Sequence, residues 1–273
     1  MKKLMLLISV LVMICCLFKC VVIPNHDKLK IHILDTGNSD CIFIESEKSL
    51  LIDGAEEDDE IYIIEYLKEL GVDKINYVLS THPHADHIGG LDAILNSFEI
   101  DELLMCEGKN TTKEYEVLKE SIESNAIKYK VPKENETVLL GKGNEVVLIN
   151  CVLPNTEDKN DWSIVAKLNC GNKKTLFMAD AQALVEEKYQ SQWEQVDILK
   201  VGHHGDITSS SEKFVNKVKP QYAVITTGEN PYGHPSAEVL NRYKNVGSNI
   251  LRTDELGTVV FTIQNNQITY DCK

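Results

Sequence analysis

Within ten residues, Thr81-His82-Pro83-His84-Ala85-Asp86-His87-Ile88-Gly89-Gly90, the chain carries three imidazoles and a carboxylate. Nitrogen and oxygen donors at this density suit zinc, manganese or iron. The cluster follows residues 75–79, an apolar run rich in strand-forming residues, so it starts where a strand ends. Residues two apart on an extended turn project to one side, so His82 and His84 can share one cation. Asp86 and His87 sit where the chain curls into a helix and can reach a second. Gly89 and Gly90 leave room for close backbone approach. Six of the eight histidines lie in this stretch, in the pair His203-His204 and at His234, which argues against a solvated polar loop.

The surrounding pattern is that of one α/β domain. Residues 29–34 alternate apolar and polar, 35–40 form a turn cluster, and 41–44 resume as a strand, which reads as a hairpin. A strand at 49–52 ends at Asp53-Gly54, and a helical repeat over 61–70 stops at Gly71. Further on, a helix starts at Thr111 or Thr112, where Thr111-x-x-Glu114 has capping-box form. Strands are expected at 146–153, 163–168 and 175–178, and a helix at 183–193. Strand 196–201, helix 209–218 (from Ser209-x-x-Glu212), strand 222–226, helix 236–243 and strand 258–263 then alternate. A β-meander thus passes into β/α alternation with no linker to split it.

Ahead of this domain, Met1-Lys2-Lys3 precedes an apolar run at 4–18 and then Lys19-Cys20. The run is short for a bilayer span and fits the hydrophobic region of a signal peptide. The division expected is a signal peptide or N-terminal anchor at 1–23, a linker at 24–30 and the main domain at 31–273. The domain is then exported, either extracellular or attached to the outer face of the membrane through residues 4–23 or a lipidated Cys20. The formal net charge of -14 works against non-specific duplex binding, because such a field repels polyanions. The eight cysteines contain no Cys-x-x-Cys, so no zinc knuckle is supported.

His-x-His-x-Asp-His followed by Gly-Gly resembles the signature of the metallo-β-lactamase superfamily. Five further stretches resemble its branch found in the ComEC DNA-uptake proteins and their stand-alone relatives. They are Asp35-Thr36-Gly37-Asn38-Ser39-Asp40, Leu51-Ile52-Asp53-Gly54, Ala179-Asp180-Ala181, Gly202-His203-His204-Gly205-Asp206 and Pro231-Tyr232-Gly233-His234-Pro235. The resemblance implies a four-layer αββα sandwich and two divalent metal ions, with zinc expected and manganese or iron as alternatives. His82 and His84 would hold one ion; Asp86, His87 and His203 would hold the other, and Asp180 would bridge them. Of the adjacent pair, His203 is favoured as ligand because it comes first after the strand, and His204 is left for substrate or for supporting a ligand. Asp53 would orient a metal-bound histidine.

Two departures stand out. No histidine occurs between His87 and His203, where many members supply a further ligand; the corresponding Asn160-Asp161-Trp162-Ser163 offers an oxygen, such as that of Asp161. Asp206 stands where the branch has a serine. The implied activity is a metal-dependent hydrolase attacking a phosphodiester with activated water. Asp86 would orient that water, and His204 or His234 would protonate the leaving group or stabilise the developing charge. A small phosphodiester or single-stranded nucleic acid is the expected substrate, and no protein partner is implied. The alternatives are a lactone, thioester or amide hydrolase, or a non-catalytic metal-stabilised binding module at the cell surface.

Overall fold

The computed structural model describes residues 28–273. The expected signal peptide or anchor at 1–23 lies outside the described residues. Among those described, no helix is long and apolar enough to cross a membrane.

Strands β1 (Leu29–Ile33), β2 (Ile42–Glu45), β3 (Leu50–Ile52), β4 (Lys74–Ser80), β5 (Glu99–Met105) and β6 (Tyr129–Lys130) join β14 (Val259–Gln264) and β15 (Gln267–Cys272) in one sheet, ordered β15-β14-β1-β2-β3-β4-β5-β6. The second sheet, ordered β13-β12-β11-β10-β9-β8-β7, contains β7 (Thr137–Gly141), β8 (Asn144–Ile149), β9 (Val165–Cys170), β10 (Lys173–Phe177), β11 (Ile198–Lys200), β12 (Tyr222–Ile225) and β13 (Asn249–Arg252). The expected hairpin pairs β1 with β2, placing Ile31 opposite Ile44. Strands β3, β4 and β5 run parallel, as do β10 to β13. Parallel neighbours need long crossovers, and these place helices on the sheets' outer faces. Helices α1 (Glu60–Glu69), α2 (Ala85–Ile88), α3 (Leu91–Ser97) and α4 (Lys113–Ser124) come in the first half of the chain. Helices α5 (Ala183–Lys188), α6 (Glu212–Val218), α7 (Ala237–Asn245) and α8 (Thr253–Leu256) come in the second.

Strand alternation divides the apolar side chains among three cores. Ile42, Ile44, Leu50 and Ile52 meet Ala166, Leu168, Phe177 and Ile198 between the sheets. Phe43 and Leu51 point the other way, to Ile63, Leu67, Ile94 and Leu118 of α1, α3 and α4. Val165, Leu176 and Leu199 face Val185, Phe214, Val215 and Val239 of α5 to α7. Two sheets face each other with helices outside both, which is the four-layer arrangement expected.

Boundaries differ where local chemistry gives no signal. β1 begins at Leu29, where the alternation starts and where Leu29 pairs with Ile263, but ends at Ile33, one residue short of the expected 34. Thr112 caps α4 through Tyr115 N, so Thr111 is not the cap. Ser209 does not start α6: Ser210 has φ +58°, and the helix begins only after Ser211, whose hydroxyl accepts from Phe214 N. β15 lies exposed at a sheet edge and is mostly polar, so hydrophobic alternation could not announce it.

Candidate metal centre

The site forms where β3 and β4 end side by side. Asp53, just past β3, accepts from Thr81 N at 2.8 Å and Thr81 Oγ1 at 2.7 Å, which fixes the chain as it leaves β4. Gly54 N donates to His87 O at 2.7 Å, drawing α2 against the end of β3. The two glycines after α2 make this approach possible. A Cβ on Gly90 would lie 2.5 Å from Gly54 O, and one on Gly89 would lie 2.6 Å from Glu57 N. Several non-glycine residues here adopt left-handed φ: Asp53, Ala55, Ala179, His203 and His204. Such strain, of order 1–3 kcal/mol per residue, collects at functional sites.

Among the described residues three sets of donors converge, one of them Asp40, Asp53 and His87 behind the other two. Asp86, His87, Asp180 and His204 present ligand atoms within 4.8 Å of one another, and so do His82, His84 and Asp180. Asp180 belongs to both. Its Oδ1 lies 3.2 Å from His87 Nε2 and 3.6 Å from His204 Nε2, while its Oδ2 lies 3.8 Å from His82 Nε2. His82 Nε2 and His84 Nδ1 are 3.1 Å apart, and His204 Nε2 is 3.5 Å from Asp86 Oδ2.

The outer nitrogens of these histidines reveal what the inner ones need. His87 Nδ1 lies 2.8 Å from Asp53 Oδ2, and His204 Nδ1 lies 2.9 Å from the carbonyl of Thr226. A carboxylate and a carbonyl only accept, so both Nδ1 atoms carry protons. In the neutral rings both Nε2 atoms then turn lone pairs toward the carboxylates of Asp86 and Asp180. His87 Nε2, His204 Nε2 and Asp180 Oδ1 are buried with no hydrogen-bond partner among the described residues. Lone pairs and anions facing each other in a buried space require a cation, and these residues therefore fit a divalent metal.

The titration behaviour expresses the same demand. Burial alone would lower His87, but Asp180, Asp86 and Asp53 outweigh it and hold the imidazole protonated well above its ordinary range. Burial alone would raise Asp180 and Asp86, yet the adjacent imidazoles, His87 foremost, keep both ionised. Asp53 and His87 are both shifted upward although they are partners. The positive charge that three carboxylates draw onto His87 is one that a metal ion on Nε2 would supply in its place. His82 and His84 move down, chiefly through burial, and so offer neutral nitrogens.

The geometry gathers His204, and not the expected His203, with Asp86, His87 and Asp180, while His203 Nε2 lies 3.8 Å from Asp180 Oδ2. The two histidines do not alternate as on a strand. Both have left-handed backbone (φ +49° and +50°) in a tight turn over Gly202–Gly205, which swings His204 inward and leaves His203 at the rim. His203 Nδ1 lies 3.2 Å from Thr208 Oγ1 and its Nε2 lies 3.4 Å from Asn160 Nδ2. The Nδ1 of His204 is engaged by Thr226 and its Nε2 faces the donor group. Among the described residues Asp161 is in none of the convergent groups, and its neighbour Asn160 contacts His203. His234 does come to the rim. Its ring stacks on His204 at 6.4 Å and 16°, and its Nε2 lies 2.9 Å from Asp206 Oδ2.

The metallo-β-lactamase superfamily profile matches residues 34–229, well over half of the chain. The chain belongs to the metallo-β-lactamase superfamily. It is 26% identical over 214 residues to ComE operon protein 3 of Bacillus subtilis (strain 168), covering 77% of this chain and 27% of that protein. It is 29% identical over 194 residues to Recombination protein 2 of Haemophilus influenzae, covering 70% and 23%. The chain thus spans about a quarter of the length of either relative. Among solved structures it resembles the metallo-β-lactamase fold protein YhfI from Bacillus subtilis, with TM-score 0.59 and 12% identity over 86% of this chain and 99% of that one. The superfamily, its fold and the relationship to competence proteins agree with the motif reading.

Behind the donor groups this superfamily member has a buried polar network that motif reading left without a role. Lys200 is fully buried at the end of β11, and its Nζ donates to Asp40 Oδ2 at 2.6 Å and Val201 O at 3.0 Å. Thr226 Oγ1 donates to Asp40 Oδ1 at 2.5 Å, and the Thr226 carbonyl holds His204. Burial opposes ionisation of Asp40, but Lys200 and then His204 keep its carboxyl below the usual range. The available signal was one lysine in an otherwise apolar strand and the aspartate closing the turn before β2. Where a further histidine is absent, Ser163 Oγ stands 3.3 Å from His82 Nδ1 and accepts from Asp180 N at 3.2 Å, linking the two donor groups.

Proposed function

We propose that this protein is an exported two-metal phosphodiesterase acting on small or single-stranded substrates. The observation that carries the reading is the sharing of Asp180 between a three-residue and a four-residue donor group. When bound, a pair of divalent cations lowers the pKa of water and polarises a phosphoryl oxygen. The relatives named for competence and recombination favour a nucleic-acid-type ester. The net charge of -14 favours a short one over a long polyanion. Export rests on the basic and apolar pattern of residues 1–23 alone.

Asp86, partly open to solvent and 3.5 Å from His204 Nε2, would accept a proton from an attacking water. His234 carries a proton on Nε2, toward Asp206, because a carboxylate can only accept. Burial holds the ring below the ordinary imidazole range, so Nδ1 keeps its lone pair and His234 would serve as a hydrogen-bonding group at a rim that His203 shares. Asp206, in place of a serine, thus supports His234 instead of contacting an anionic substrate directly.

The test is hydrolysis of bis(p-nitrophenyl) phosphate by the full chain loaded with Zn²⁺ or Mn²⁺, beside a lactone, a thioester and a carboxylic ester. Diester cleavage lost in His84→Ala and Asp180→Ala supports the reading. Cleavage of the lactone without the diester refutes it, and bound metal with no turnover on the panel favours a surface binding module.

A further inference from the structure

Tyr232 is 73% exposed beside the metal centre, although its loop is closely fixed. Asn230 Oδ1 accepts from Tyr232 N at 3.1 Å and His234 N at 3.0 Å, and Asn230 Nδ2 donates to Gly228 O at 2.8 Å and His234 O at 2.9 Å. One asparagine side chain thereby ties both ends of the turn that carries the tyrosine. The Tyr232 ring lies 5.5 Å from His234 at 31°, and His234 lies 5.5 Å from His203 and 6.4 Å from His204. The aromatic face therefore leads from solvent to the donor groups in two ring-to-ring steps. A scattered exposed tyrosine needs no explanation. This one differs because its backbone is fixed and its neighbouring ring borders the site. Tyrosine also presents a broad rigid face with few torsions to freeze on binding.

We propose that Tyr232 is a stacking platform for the planar base of a nucleotide ester whose phosphodiester sits at the metal centre. This inference rests on the phosphodiester reading above and narrows it to substrates with a nucleobase next to the scissile bond. Stacking on an aromatic side chain tolerates any base because every base has a π face. Glu56, close enough to Asp86 for their charges to interact, and its neighbour Asp59 make that side of the site acidic, which favours a short ester over a long strand.

The experiment compares two substrates with the same leaving group, thymidine 5′-(p-nitrophenyl phosphate) and methyl p-nitrophenyl phosphate. The enzyme is the full chain loaded with Mn²⁺ or Zn²⁺, and binding of thymidine 5′-monophosphate and methyl phosphate is measured by calorimetry. Tyr232→Ala is expected to raise KM for the thymidine ester roughly five- to a hundredfold, the range for one stacked base, with kcat retained. Tyr232→Phe keeps the ring and restores KM, and the methyl ester does not respond to either substitution. An equal change on both esters, or none on either, overturns the platform and leaves the phosphodiester reading standing. If the wild type cleaves neither ester yet loses thymidine monophosphate binding on Tyr232→Ala, the phosphodiester reading falls and the platform stands.

Discussion

Replacing each of two adjacent histidines separates the geometry from the motif. His204 supplies one of four donors, with Nε2 at 3.5 Å from Asp86 Oδ2 and 3.6 Å from Asp180 Oδ1. Losing a residue that merely orients a ligand typically costs 10–100-fold in metal affinity, so losing a ligand is expected to cost about a hundredfold or more. That is about 2.7 kcal/mol. The His82, His84 and Asp180 group is untouched, so one tight equivalent should remain and one should weaken. His203, whose nitrogens face Thr208 and Asn160 and whose Nε2 is 3.8 Å from Asp180 Oδ2, should leave both equivalents in place when changed to alanine. The assay is competition for Zn²⁺ against a chromophoric chelator, with bound zinc per chain counted after desalting. Because position 204 has φ +50°, His204→Asn accompanies His204→Ala; asparagine tolerates this backbone and controls for lost folding. Loss of an equivalent in His203→Ala with retention in both His204 variants would refute the assignment.

The buried network makes a stability prediction. Lys200→Met strands the Asp40 carboxylate in the interior and should cost about 3–5 kcal/mol in urea unfolding, with part regained in Lys200→Met/Asp40→Leu. A loss below about 1 kcal/mol would show that Asp40 finds another partner. Asp53→Ala frees His87 Nδ1 and should weaken Zn²⁺ binding by about 10–100-fold in the same competition assay; unchanged affinity would remove Asp53 from any orienting role. On the other side of the first sheet, contact with His32 and then Lys30 holds the Glu45 carboxyl at about 2 instead of 4.5. A depressed carboxylate stabilises the fold above its unfolded pKa and loses that contribution as pH falls through the folded value. The stability gap between wild type and Glu45→Gln should therefore be constant above pH 4.5 and close toward pH 2, and a gap that widens on acidification would contradict the pairing.

Short-range chemistry was legible wherever several constraints met in few residues. The stretch from His82 to Gly90 had to follow a strand and enter a helix, and it does so through Thr81, Asp53 and the close contacts at Gly89 and Gly90. The β/α alternation of the second half also followed from periodicity, because each helix buries one face on its sheet. Caps were harder to place. Thr111 and Thr112, or Ser209 and Ser211, are equivalent in type, and only the backbone at Ser210 decides that α6 starts late.

The sequence by itself determined the donor types, their order and the superfamily they belong to, since these depend on residues a few positions apart. Only the tertiary structure decided which of two adjacent histidines turns inward, because left-handed backbone at both positions breaks the alternation of a strand. It also decided that Asp40 and Lys200, 160 residues apart, share one buried bond behind His204. Such partners can be chosen only after the two sheets close on each other. A charge is tolerated in that interior where the fold supplies its opposite.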